Sequence, residues 1–323
     1  MTDGQSTGSR DPVARVIAGA ASEPRSDESV VGVPQQRSGA HESLAASGVK
    51  LSVIMAAFNE ARTIRSAVLE VLRVDMPCDF ELIVIDDGSQ DATAEQLASI
   101  QDHRLRVVQH HTNLGKGTAM RTGRRYATGT HVVPFDADLE YTANDLARLV
   151  APVVTHGYPV VIGTRNSGQH TSYAAFRFAI GNRILTRVAN VAFDADISDL
   201  HSCLKLVSTD LLRSLPLRET GFGADTELVA ALLKRGIMPF EVPISYRGRS
   251  RAEGKKIGWR DAVECVAVIG KHRLFAAESV PTTTVVLDLT GPDRDPTPAR
   301  VEPDAHRVID LRQARLNRPL ESH

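Results

Sequence analysis

Three acids at alternate positions, Asp136, Asp138 and Glu140, follow directly on an apolar run in "VVPFDADLEYT" (132–142). Val132, Val133 and Phe135 read as a strand inside a sheet, where a carboxylate is costly to bury unless something pairs with it. Either the acids emerge into solvent in a turn, or they hold a cation. A calcium loop of the EF-hand type is excluded, because its sixth position requires glycine and Tyr141 stands there. A hard ion such as Mg²⁺ suits the spacing, since it takes one or two protein carboxylates and leaves its other positions to phosphate oxygens.

Four further stretches carry residues able to do chemistry. "NLGKGT" (113–118) is not a nucleoside-triphosphatase phosphate loop: position 110 is His where that motif needs Gly, and Gly117 replaces its Ser or Thr. It remains either a tight glycine turn opening a helix or a basic turn that places Lys116 near a diphosphate. "IDDGSQDAT" (85–93) reads as a turn in which Asp91 could cap the next helix. "AAFRFAIGNRILTRVANVAF" (174–193) mixes aliphatic periodicity with Arg177, Arg183 and Arg187. It is a core helix with a solvated face or an amphipathic surface for a lipid or a lipid-linked anion. "YRGRSRAEGKKIGWRDAV" (246–263) holds Arg247, Arg249, Arg251, Lys255 and Lys256 within ten positions, either a solvated loop or one that closes on phosphates.

The elements that must position these residues alternate. "KLSVIMAAF" is a β-branched run followed by helical spacing through Ile64, Val68 and Leu72; "FELIVIDDGSQDATAEQLASI" repeats strand, acidic turn and helix. "RLRVVQH" and "THVVPFDAD" supply two more strands, separated by a loop and helix in "NLGKGTAMRTGRRYATG". The pattern predicts one α/β, Rossmann-like domain with a mostly parallel sheet and helices on both faces. Ligands of such sheets bind beyond the carboxyl ends of the strands. Asn59, Asp86, Asp87, Asp136 and Asp138 all fall there.

Of 323 residues, 42% are apolar and 24% charged, with a formal net charge of −1, so charge supplies no case for nucleic acid as a partner. Cys78, Cys203 and Cys265 are isolated, which disfavours a disulfide framework. No run reaches the roughly 18 apolar residues of a membrane span, and the N-terminus lacks a secretory pattern. A cytoplasmic protein is expected, with peripheral contact on the inner face of the cell membrane possible. Composition predicts a disordered leader at 1–48, a folded domain at 49–276 and a polar, largely disordered tail at 277–323, within which Val285 to Leu289 or Val308 to Arg315 could form a short strand or helix.

Nine stretches in order, "VIMAAFNEARTI", "LIVIDDGSQDAT", "NLGKGTAMRTG", "DADLEY", "GTR", "SDLHSCLKL", "GFGADTELV", "EVPISYRGRS" and "EGKKIGWRDA", resemble the family 2 inverting glycosyltransferases. The nearest branch is that of the dolichyl-phosphate (polyprenyl-phosphate) mannosyl- and glucosyltransferases. The resemblance implies an A-type sugar-nucleotide fold. It places Phe58, Asn59, Glu60, Asp87, Lys116 and Asp136 at the nucleotide, and Asp136, Asp138 and Glu140 at a Mg²⁺ or Mn²⁺ ion. Arg165 and Arg177 fall at positions for the acceptor phosphate, and Arg249 at the arginine that reaches the phosphates from a late loop. Ala56 departs from the proline usual in the first loop. Many membrane relatives also continue into C-terminal spans, where this chain has one helical run and a polar tail.

The expected reaction moves a hexose from a nucleoside-diphosphate sugar to a polyprenyl phosphate or, alternatively, to a soluble small-molecule acceptor. A non-catalytic sugar-nucleotide binder is the third reading, and the intact acids and loop cations disfavour it. A lipid phosphate is already ionised at pH 7 and needs positioning rather than a base. A neutral hydroxyl needs a base, for which Asp199 is the first candidate and Asp225 and Glu227 weaker ones.

Overall fold

The computed structural model describes residues 48–166, 171–173, 176–249 and 259–275, without the side chains of Arg177, Trp259 and Arg260. The expected leader (save Gly48), the expected tail from 277 and the loop cations Arg251, Lys255 and Lys256 lie outside the described residues.

The first half follows the predicted alternation: β1 (Lys50–Ala57), α1 (Ile64–Leu72), β2 (Asp79–Asp86), α2 (Thr93–Ala98), β3 (Leu105–Gln109), α3 (Lys116–Tyr126) and β4 (His131–Pro134). The chain continues through α4 (Asn144–His156), β5 (Val160–Thr164), β6 (Thr171–Ser172) and α5 (Phe176–Phe193). After them come β7 (Lys205–Ser208), α6 (Thr209–Ser214), α7 (Gly223–Lys234), β8 (Phe240–Pro243), β9 (Tyr246–Arg247) and α8 (Trp259–Leu274).

Seven strands form one sheet in the order β3-β2-β1-β4-β7-β5-β8. Its pairs are parallel except where β7 runs against both of its neighbours. Side chains alternate across the pleat, so adjacent residues of β1 enter different cores. Val53 and Met55 join Val68 and Val71 of α1 and Leu146 and Leu149 of α4. Ile54 joins Ala119 of α3, Leu228 and Leu232 of α7, and Ile269 of α8. Both faces are therefore covered, which accounts for near-continuous apolar strands in place of alternating ones.

Strand order also locates the site. β2 and β3 extend the sheet on one side of β1, while β4 adds on the other. The loops leaving β1 and β4 therefore diverge at a switch point and leave a crevice at the strands' carboxyl ends. Asn59 and Glu60 flank that crevice on one side, and Asp136 to Glu140 on the other.

Candidate active site

On the β1 side, Asn59 adopts a left-handed conformation (φ 56°), a region its short polar side chain tolerates. Its N–H donates to Ser89 Oγ at 2.9 Å, and its Oδ1 accepts from the Gln90 N–H at 2.9 Å. The Glu60 N–H donates to Thr93 Oγ1, and the Ala61 N–H donates to Asp91 Oδ2. Asp91 therefore ties the β1 loop to the β2 loop. Asn59 is left exposed at the crevice, with Phe58 and Glu60 half-buried beside it.

Asp87, expected at the nucleoside, is buried and engaged elsewhere. Its Oδ1 accepts from the Leu114 N–H (3.0 Å) and lies 2.6 Å from His110 Nδ1, while Oδ2 accepts from the Gly115 N–H (2.8 Å). His110 Nε2 in turn meets Thr122 Oγ1 at 3.0 Å. The arrangement has a physical basis: a buried carboxylate needs donors, and the loop before α3 supplies them. Asp87 holds the turn that carries Lys116.

That turn is glycine-built because backbone passes close by. A Cβ on Gly117 would stand 2.2 Å from the Glu219 carbonyl oxygen, and Gly115 has φ +88°. α3 is thereby seated against the loop before α7. Lys116 Nζ lies 2.9 Å from Asp136 Oδ1 and 3.3 Å from Asp225 Oδ2. Lys205 Nζ, fully buried, meets the other Asp225 oxygen at 3.2 Å. Burial opposes these charges, yet the pairing holds the Lys116 ammonium well above, and the Asp225 carboxyl well below, their usual pKa values.

The three alternating acids take different roles. Asp138 Oδ2 accepts from Arg249 Nη2 at 2.8 Å and Oδ1 from the Glu140 N–H at 3.0 Å. Glu140 Oε2 accepts from the Tyr246 hydroxyl at 2.7 Å and Oε1 from the Arg249 N–H at 2.8 Å. Among the described residues, no group of three or more His, Cys, Asp or Glu side chains is arranged to hold a metal. Glu140, expected as a third metal contact, here holds the Tyr246 hydroxyl and the Arg249 N–H. It positions the segment after β9, whose Tyr246–Arg247 pairs with β6, and so places Arg249.

Burial and the charges of Asp136 and Glu140 push the Asp138 carboxyl up to about 7 against the pull of Arg249. Oxygen donors that repel one another are what a hard divalent ion neutralises. Asp136 and Asp138 fit such an ion, in the number Mg²⁺ takes from protein.

At the far side of the crevice, the candidate base and one candidate for the acceptor phosphate pair with each other. Asp199, the candidate base, is fully buried, and its Oδ2 accepts from Arg165 Nε at 2.7 Å and Oδ1 from Nη2 at 2.8 Å. Asn182 Nδ2 adds a bond at 2.8 Å. Burial opposes the carboxylate, but Arg165 holds it below the usual range, so it is a poor base. Arg165, expected at the acceptor phosphate, makes that pair with Nε and Nη2 and lies over the Tyr246 ring, 4.8 Å away. The side chain of Arg177 lies outside the described residues.

Asp199→Ala should therefore destabilise the fold by about 3–5 kcal/mol in denaturant titration, because Arg165 is left buried without its partner. Because the folded pKa of Asp199 is depressed, its contribution is present above the unfolded value near 3.9 and is lost as pH falls through the lower folded value. A base role predicts the opposite pattern, lost kcat with unchanged stability.

Tyr246, which donates to Glu140 and faces Arg165, and Lys205, which backs Asp225, received no role from the sequence. Both lie in resemblance stretches, "EVPISYRGRS" and "SDLHSCLKL". A tyrosine before the arginine-rich loop and a lysine in an apolar strand were the signals available.

A family model for glycosyl transferase family 2 matches residues 52–215, which contain the crevice acids and both of its loops. The chain belongs to this family. It is 30% identical over 211 residues to glycosyltransferase AglD of Haloferax volcanii, covering 62% of this chain and 34% of that protein. It is 32% identical over 129 residues to undecaprenyl-phosphate 4-deoxy-4-formamido-L-arabinose transferase of Proteus mirabilis, covering 38% and 39%. The chain thus spans between a third and two fifths of the length of those relatives.

Among solved structures it resembles glucosyl-3-phosphoglycerate synthase of Mycobacterium tuberculosis, in complex with Mn²⁺, uridine diphosphate and phosphoglyceric acid. The TM-score is 0.56 at 24% identity, covering 74% of this chain and 84% of that one. At that identity the likeness establishes the A-type fold. The family and these relatives are described as glycosyltransferases, which favours a transferase over the non-catalytic binder.

Proposed function

We propose that this glycosyltransferase moves a hexose from a nucleoside-diphosphate sugar to a polyprenyl phosphate, with inversion, while peripheral on the membrane that holds the lipid. GDP-mannose, UDP-glucose and UDP-N-acetylglucosamine are the donors to try. The observation that carries the acceptor is the state of the candidate bases. Asp199 is held by Arg165, Asp225 lies between Lys116 and Lys205, and Glu227 accepts from the Arg218 and Glu219 N–H groups beside His272. None is poised to take a proton. An ionised phosphate acceptor needs none, because it attacks as an oxyanion. The undecaprenyl-phosphate transferase among the relatives supports the same choice.

In this reading an acceptor phosphate oxygen bonds to C1 of the sugar as the C1–O bond to the diphosphate breaks, the electron pair leaving with the diphosphate oxygen. Asp136 and Asp138 would hold a Mg²⁺ or Mn²⁺ ion, which would supply Lewis-acid neutralisation of that leaving group. Arg249 and Lys116 add fixed positive charge where the negative charge develops. Asn59, Phe58 and Glu60 border the nucleoside side, and Arg177 is the remaining candidate cation for the acceptor phosphate.

The test is a donor panel with either ion, read first by thermal shift. A matched donor at about 100 times its Kd stabilises by about 2.7 kcal/mol. Transfer is then assayed to a short-chain isoprenyl phosphate and to the corresponding alcohol. Transfer to the phosphate alone is expected; equal rates on the neutral alcohol would overturn the reading. A water-soluble small-molecule acceptor is the second reading. No helix among the described residues is long and apolar enough to cross a membrane, and the fold relative binds a soluble phosphorylated acid.

A further inference from the structure

The inward side of α5 packs normally: Ala179, Asn182, Thr186 and Ala189 are buried. Its outward side is not the solvated polar face that a helix on a core should present. Phe176, Ile180, Ile184, Val188 and Val191 are all exposed there, Phe176 by 74% and Val191 by 81%. Steps of four, four, four and three residues keep them on one side of the helix, in a row about 22 Å long at 1.5 Å per residue. α8 packs alongside α5. It buries Cys265, Val268 and Ile269 and exposes Val263, Val266 and Leu274, with Phe275 just beyond its end.

The exposed charges on the two helices themselves are positive, Arg183 and Arg187 on α5 and Lys271 and Arg273 on α8; Lys271 lies 3.3 Å from Glu219 Oε1, and the exposed acids Asp194 and Asp196 stand just past the end of α5. α5 contains no acid. Of the acids of α8, Glu264 turns inward against Gly223 of α7, and Asp261 is half-buried.

We propose that the outward faces of α5 and α8 form one lipid-facing surface that seats the enzyme on an anionic bilayer. The proposal deepens the lipid-phosphate reading and rests on it for its purpose. Apolar side chains flanked by cations match a membrane interface on both counts, acyl burial and attraction to negative headgroups. A second copy of the same face would set arginine against arginine, which disfavours self-docking. The surface also adjoins the site. Asn182, two positions before Ile184, reaches inward to Asp199, the carboxylate that holds Arg165. One helix thus braces the Asp199–Arg165 pair at the crevice with one face and presents the apolar row with the other.

The experiment sediments the full chain with phosphatidylglycerol-containing vesicles and with neutral phosphatidylcholine vesicles, at low and high salt. Binding to the anionic vesicles alone, weakening with salt, is expected. Ile184→Glu with Val191→Glu, and separately Arg183→Glu with Arg187→Glu, should each lower the bound fraction roughly tenfold or more. Transfer to a water-soluble short-chain isoprenyl phosphate should stay within about threefold of wild type, as these residues lie outside the crevice. Vesicle binding that persists when no isoprenyl phosphate is glycosylated would keep the surface and reject the acceptor reading. Three results would overturn the surface. One is binding indifferent to the Glu variants. Another is a wild-type dimer that Ile184→Glu separates, making the face a self-interface. The last is no vesicle binding together with a lower Tm for Ile184→Glu, which would mean that the face is covered by the chain itself.

Discussion

Asp138→Asn should abolish transfer, by a hundredfold or more, without loss of folded stability. Asparagine keeps the shape and the hydrogen-bonding oxygen that meets the Glu140 N–H, but it removes a charge the proposed ion needs. Loss of one preorganised charge partner at a developing charge is worth about a hundred- to a thousandfold. The stability half follows from the same electrostatics. Burial and the charges of Asp136 and Glu140 raise the Asp138 carboxyl to about 7, so its ionised form is held at a cost in the metal-free fold. A neutral amide relieves that repulsion, and the Tm without metal should be equal to or above that of wild type. Donor binding should lose its dependence on Mg²⁺ or Mn²⁺ in the same variant. Full activity of the wild type in excess chelator would reject the metal-assisted reading outright.

Arg249→Ala should lower kcat by about a hundredfold or more, the scale for removing a preorganised stabiliser of leaving-group charge. The side chain reaches Asp138 at 2.8 Å and stands 3.6 Å from Glu140 and 3.9 Å from Glu60, so it already lies where the acids converge. Burial opposes its charge, yet Asp138 and the two glutamates hold the guanidinium above its usual pKa. Arg249→Lys separates charge from geometry, since lysine keeps the cation but loses the planar fork, and it should recover only part of the rate. A solvated loop would show almost no change in either variant. Steady-state kinetics on folded protein decides, and a drop under threefold would return 246–256 to that plain role.

Much of this protein is local and therefore legible in sequence. Apolar runs of strand length followed by helical spacing depend on neighbours along the chain, and they placed β1 to β4 and the helices between them. The ends of those strands put Asn59, Asp87, Asp136 and Asp138 at one edge, because a parallel sheet gathers its carboxyl ends there. Family motifs stood in order along the chain, and the match over 52–215 takes in the first six of the nine. Partners were not legible. Asp199 and Arg165 are 34 residues apart, and Glu140 and Tyr246 are 106 apart. An acid in a motif looks the same whether it faces substrate or an arginine. Only the strand order, with β7 inserted antiparallel between β4 and β5, brings the segments around Arg165, Asp199 and Lys205 together. Burial then decides their roles: a charge removed from water must take the nearest opposite charge or donor. For that reason Asp199, Arg165, Asp87 and Glu140 hold the frame of the crevice, while Asp136, Asp138, Lys116 and Arg249 remain at its opening.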